Sequence, residues 1–353
     1  MIAGHTSSAL LDTAYRSSEW FNVWQFQRGL TSALFLLLSG FAFSVATARH
    51  WSTHLSPSAG VLKRLRRFGL FILLGYALHF PAGHFSDMVV ATDAQWRAFL
   101  AVDVLQLIGA TFVVIQLLVM TVRSRRAFTV AAFVMAAAII AAAPAVWRAD
   151  WSGALPLSMS SYLSSSTGSQ FPLFPWAAFV LLGAGVGQLY ARWGAAHLRA
   201  FANWGMLVPG GFLMAVASKM SVGPAAMAGV EQWNWLPGQL LLRTGVCLVV
   251  LGLVAHLSDR IGQLPHVFGA VAQESLVVYF VHLCIVYGSV WNRGLYQFYG
   301  EALSPFATLL LVVAVIVPMI ALAWHWNVLK HTRPKVARRV SIAMGVVLVA
   351  RLL

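Results

Sequence analysis

Residues 99–122, FLAVDVLQLIGATFVVIQLLVMTV, carry a single charged side chain, Asp103. As an α-helix the stretch would extend about 36 Å, more than the roughly 30 Å of a bilayer's hydrocarbon core. Its Leu, Val and Ala positions run on continuously, where a strand of a membrane barrel would alternate over about ten residues. The stretch reads as a transmembrane helix.

Working outward, the same pattern recurs at residues 30–48, 68–80, 128–146, 175–191, 204–220, 239–256, 270–290 and 306–326, with shorter segments at 1–11 and 340–353. The expected architecture is an all-α, polytopic integral membrane protein of about 10–11 transmembrane helices, one transmembrane domain over residues 1–353 with no soluble domain. Composition agrees: 59% of the residues are hydrophobic and 10% charged, with a mean hydropathy of +0.76. A soluble fold, usually about a quarter charged, cannot hide that much apolar surface. Cys247 and Cys284 both lie in apolar segments, so no disulfide or zinc framework is implied.

The net charge of +14 is a topology signal. In one set of alternate loops stand Arg49, Lys63, Arg64, Arg66, Arg67, Arg123, Arg125, Arg126, Arg192, Arg199, Arg260, Lys330, Arg333, Lys335, Arg338 and Arg339, sixteen of the 24 basic residues. Acidic residues sort the opposite way: Asp12, Glu19, Asp87, Asp93, Asp150, Glu231 and Glu301 against Asp259 alone. The positive-inside rule makes the basic loops cytoplasmic, and nucleic acid is not an expected partner. The start lacks the basic region and cleavage site of a secretory signal. Residues 1–11 reach only about 16 Å as a helix. Either that segment enters partway or the first helix is truncated and begins upstream of Met1; the second is expected.

Titratable groups at membrane depth are costly, so His5, Asp103, Arg243, Glu274 and His282 are functional candidates. Asp103 and Gln106 are three apart on one helix face and serve either a site or helix-to-helix glue. In residues 273–283, QESLVVYFVHL, Ser275, Tyr279 and His282 follow i, i+4, i+7 and form a polar stripe with Glu274 beside it. Arg243 snorkels outward or pairs with Asp103. His5 is the candidate base or transient acyl carrier, since an imidazole takes a proton from a hydroxyl or amine, or accepts an acyl group itself; the alternative is a hydrogen-bonded structural histidine. His79 and His84 have poor metal-ligand spacing, and no metal is expected. No nucleotide-binding glycine motif stands between the right elements. Two outside loops, 13–27 with its aromatics and the Ser-rich 147–176, supply interfacial anchors or a substrate surface.

The segments MIAGHTSSALL (1–11), RGLTSALFLLLSGFAFS (28–44), KRLRRFGLFILLGY (63–76), AVDVLQLIGATF (101–112), SQFPLFPWAAFVLLGAGVG (169–187) and AQESLVVYFVHL (272–283) resemble, in that order, the heparan-alpha-glucosaminide N-acetyltransferase-like membrane acyltransferases. The resemblance implies an acyltransferase that moves an acyl group, typically acetyl, from cytosolic acetyl-CoA or another acyl-CoA to an extracytoplasmic sugar or glycolipid. Within that reading His5, Asp103 and His282 are the expected catalytic residues, His5 by its position on the outer side and not by a motif match, and Lys63, Arg64, Arg66, Arg67, Gln106, Glu274, Ser275 and Tyr279 are the expected donor-binding ones. The basic loops would hold the CoA phosphates, and the pantetheine arm would thread past the polar groups of the spans. Expected surroundings are a bacterial-type inner membrane and its lipids, with a homodimer allowed. Two departures stand out. The Arg, Asp and Arg-Gly pattern that opens the family is missing, and the family's working histidine lies in the first outside loop, which here contains none. A transporter or flippase, or a non-catalytic envelope protein, is the rival reading.

Overall fold

The computed structural model describes residues 1–151, 153–220 and 236–353; Glu231 lies outside the described residues. Among the described residues the chain is helical apart from isolated bridges and the connections between helices. The principal helices are α1 (Ile2–Leu10), α2 (Glu19–Arg49), α3 (Ala59–Leu78), α4 (Asp93–Leu100), α5 (Val104–Val122), α6 (Arg125–Arg148), α7 (Leu173–Gly194), α8 (Leu198–Lys219), α9 (Pro237–Ile261), α10 (His266–Gln273), α11 (Ser275–Tyr287), α12 (Pro305–Thr332) and α13 (Pro334–Ala350).

Every expected apolar segment contains a helix. Among the described residues, seven (α2, α5, α6, α7, α8, α9 and α12) are long and apolar enough to cross a membrane, and α10 with α11 makes an eighth if that bent pair is one span. The rest of the expected set falls short for separate reasons. The charges of Lys63–Arg67 occupy the first half of α3, α1 has nine residues, and α13 has seventeen.

Two expected spans are interrupted. Residues 99–122 are not one helix: α4 ends at Leu100, and α5 begins only after Asp103, whose extended backbone makes it the N-cap. A carboxylate at that position satisfies helix-end N–H groups that would otherwise lack partners, so the chain starts afresh there. Residues 270–290 are likewise broken, with α10 and α11 meeting at Glu274 at 72°. The non-helical backbone of Glu274 breaks the run just before Ser275.

The chain divides into two compact units. One comprises residues 29–76 and 100–262. In it α7 lies along α2 through glycine: a Cβ on Gly40 would stand 1.8 Å from the Val180 carbonyl oxygen, and one on Gly183 1.9 Å from that of Leu37. Only glycine permits backbones that close, a packing typical of membrane helices, where van der Waals contact replaces the hydrophobic drive. The Ser-rich segment belongs to this unit and is packed, with Ser160, Ser161, Ser164 and Ser169 buried and Ser169 Oγ accepting from the Val102 N–H at 2.9 Å.

The other unit comprises residues 1–28, 77–99 and 263–353. Here α1 packs on α11 and α12, with Ala9, Leu10 and Val286 buried against Leu295, Leu303 and Leu311. The chain after α1 pairs with the segment ahead of α12, Asp12 N–H donating to Leu303 O at 3.0 Å and Leu303 N–H to Leu10 O at 2.9 Å. Arg16 donates to the Leu11 and Ser8 carbonyls and meets Glu301 at 3.3 Å, placing a cation at the C-terminal end of α1. These contacts fix how far α1 reaches, and so where His5 stands.

Candidate active site

His5 sits mid-helix in α1, where its ring meets three residues of α11. The His5 and His282 ring centroids are 5.4 Å apart with planes tilted by 53°. Tyr287 stands edge-on to His5 at 5.7 Å, and Tyr279 lies 5.5 Å from His282 and 6.4 Å from His5. Tyr279 and His282 are three apart and share a helix face, as the sequence spacing requires. Ser275 does not join them; it is exposed at the start of α11, just past the bend.

The hydrogen bonds fix which nitrogens are available. His282 is 1% exposed, and its Nδ1 lies 2.8 Å from the Val278 carbonyl one turn back. A carbonyl only accepts, so Nδ1 carries the proton and Nε2 the lone pair. That Nε2 is buried with no hydrogen-bond partner among the described residues. An imidazole nitrogen with a free lone pair can accept a proton from a donor placed beside it. At His5, the Tyr287 hydroxyl donates to the His5 carbonyl at 3.4 Å while its oxygen lies 3.3 Å from Nδ1. With the hydroxyl proton directed to the carbonyl, Nδ1–H donates to the phenol oxygen and His5 also presents Nε2. Arg28 reaches the same face of α1, donating to Ser8 Oγ.

The remaining candidates have other surroundings. Asp103 Oδ1 accepts from Val104 N–H at 2.7 Å, and Gln106 Oε1 accepts from Asp103 N–H at 3.2 Å, a reciprocal capping box. Asp103 is therefore at the end of the helix and not on its face. Gln106 is fully buried, with its amide against Gly75. Arg243 is also buried; its guanidinium carbon lies 5.8 Å over the Trp176 ring and its Nη2 faces Gly29. Glu274, 3% exposed, accepts from Lys330 Nζ at 2.9 and 3.0 Å and from Asn327 Nδ2 at 3.2 Å. On α3, Lys63, Arg66 and Arg67 are exposed, whereas Arg64 folds back to donate to Thr47 Oγ1 at 2.8 Å and lies 4.4 Å over the Phe43 ring.

Two participants escaped the sequence reading. Tyr287 is five residues past His282 and off the 275/279/282 stripe, so no spacing rule pointed to it. Lys330 reads as one more topogenic charge; the signal for its pairing is Glu274, an acid near one end of its expected span.

The chain matches the family model described as heparan-alpha-glucosaminide N-acetyltransferase, catalytic, over residues 1–217. No curated protein and no solved structure matches it. The match takes in His5, Lys63–Arg67, Asp103 and Gln106, while Glu274, Tyr279, His282 and Tyr287 lie beyond it. With residues 1–217 of 353 matched on a multi-pass helical fold, the chain belongs to the heparan-alpha-glucosaminide N-acetyltransferase catalytic family, a membrane enzyme of acyltransferase type.

Proposed function

We propose that this enzyme transfers an acyl group, acetyl in the first instance, from a cytosolic acyl-CoA to a hydroxyl or amine of an extracytoplasmic sugar or glycolipid, in a bacterial-type inner membrane with its basic loops cytoplasmic. The observation that carries the reading is the contact between two imidazoles, His5 and His282, in a chain of an acetyltransferase family.

The chemistry divides between them. His5 Nε2 attacks the thioester carbonyl; the C–S bond breaks and CoA leaves as the thiolate. The acylated ring keeps its Nδ1 proton on the Tyr287 hydroxyl, and its positive charge makes it a better leaving group. The acceptor's oxygen or nitrogen then attacks the acyl carbon, its proton passes to His282 Nε2, and the C–N bond to His5 breaks. Handing that proton to the thiolate balances the cycle: thioester and acceptor become ester or amide and free thiol. Acyl-CoA is polyanionic, and the exposed Lys63, Arg66 and Arg67 suit its phosphates. Arg64, engaged with Thr47 and Phe43, is a weaker candidate than its neighbours.

The bent pair α10–α11 gives the transporter reading its one specific support, since broken helices also build solute sites. One experiment separates the two. Purified protein in liposomes is given acetyl-labelled acetyl-CoA and envelope glycans. Label on the glycan, lost in His5→Ala, supports acyl transfer; solute uptake with no transfer to any acceptor contradicts it.

A further inference from the structure

Away from the histidine pair, α10 and the last turns of α12 form the walls of an open groove of about 490 Å³, in the size range of small-ligand sites. Both helices contribute one face. On α10 His266, Gly269, Ala270 and Gln273 line it; on α12 Trp324, Asn327, Val328 and His331 do, each set following i, i+3, i+4, i+7. Gly269 and Ala270 leave the room, and Asn327 Nδ2 ties the faces together by donating to Gln273 Oε1 at 3.0 Å.

The walls are of two kinds. Phe268 and Trp324, 59% and 38% exposed, present apolar surface beside the imidazoles of His266 and His331. Directly after His331 the sequence turns basic: residues 332–339, TRPKVARR, hold Arg333, Lys335, Arg338 and Arg339 and no acid. Glu274, the carboxylate at the neighbouring bend, is already neutralised by Lys330. The complement of an apolar wall under a positive rim is an amphipathic anion.

Depth identifies which one. α12 has 28 residues, a length of about 42 Å against a hydrocarbon core of roughly 30 Å. Standing upright it leaves some 12 Å outside the acyl region, and its basic final turns are the part suited to that place. The cavity then lies at headgroup level, where basic pockets between membrane helices take anionic lipid headgroups. We propose that this groove binds an anionic phospholipid, with the phosphate near His331 and the basic rim and the first acyl carbons on Phe268 and Trp324. The proposal is independent of the role given to His5.

The test uses the full chain, delipidated in detergent and titrated with phosphatidylglycerol or phosphatidylcholine, with lipid occupancy read by native mass spectrometry and stability by thermal denaturation. Phosphatidylglycerol should bind at low salt and raise the melting temperature, and phosphatidylcholine should do neither. Arg333→Gln and Lys335→Gln should each weaken the phosphatidylglycerol affinity about fivefold, the equivalent of about 1 kcal/mol per cation near an anionic headgroup. His331→Gln and Trp324→Phe, conservative enough to fold, should also weaken it, while Arg126→Gln on α6 should not. Equal binding of the two lipids, or affinity unchanged by the groove variants, would overturn the proposal. So would displacement of the lipid by coenzyme A, which would assign the groove to the acyl donor.

Discussion

Around Asp103 the polar atoms serve the backbone: the carboxylate caps α5, and Gln106 returns the favour to Asp103 N–H. In the other unit the His5–His282 pair holds something back. One nitrogen of each ring is pinned, to Tyr287 or to Val278, and His282 Nε2 is left buried and unpartnered. In sequence the two sets look alike, each being polar side chains set into apolar helical segments. What separates them is where their hydrogen bonds go. A buried polar group whose capacity is consumed locally stabilises; one whose capacity is left unused costs stability and is retained for something else.

The contrast can be broken most sharply at His5. His5→Ala should cut acyl transfer by about 10² to 10⁴, the usual loss with a catalytic acid–base group, or more if it carries the acyl group, while the melting temperature stays near wild type. Full activity in a folded preparation would place His5 with Asp103 among the structural groups.

The ion pair at the α10–α11 bend comes next, and it is asymmetric. Lys330 is 46% exposed and Glu274 3%. Lys330→Ala strands a buried carboxylate and should cost about 3 kcal/mol or more. Glu274→Gln leaves a lysine that can reach water and should cost about 1–2 kcal/mol. Denaturant titration in mixed micelles measures both; equal losses would mean that Glu274 is already solvated.

Asp103→Ala should remove a helix cap, for about 0.5–2 kcal/mol, and leave the turnover of the folded enzyme unchanged. A fall in turnover at unchanged stability would move Asp103 into the chemistry.

The smallest effect concerns His54, in the connection between α2 and α3. Burial, then the charges of Arg64 and His50, hold its imidazole below the ordinary range. The unfolded chain therefore protonates first, so the stability this residue confers is complete above about pH 6.5 and declines as pH falls below it. Melting temperatures between about pH 7.5 and 5 should show a slope that His54→Gln reduces, with no change in transfer at neutral pH. An unaltered slope would clear His54 of the effect.

The sequence made the helices and most of their limits legible, because membrane-length apolar runs leave the backbone little alternative. It also placed Tyr279 and His282 on one face by spacing alone. It misread the two breaks. Hydropathy is blind to capping geometry and runs a span straight through Asp103, and the 72° bend at Glu274 falls in a run whose composition is continuous across it. The approach of His5 to His282 spans 277 positions and depends on α1 packing against α11, which local periodicity does not encode. Tyr287 followed only from that packing.

The most direct test of the central claim, that His5 and His282 act on one acyl group as a unit, is a double-mutant cycle on transfer from labelled acetyl-CoA. His5→Ala and His282→Ala should each remove most of the activity, and the double variant should lose little more than the weaker single variant, because members of a catalytic unit are not additive. Losses that multiply, or a His282→Ala enzyme that folds and transfers at the wild-type rate, would show that the two imidazoles do not work as a pair.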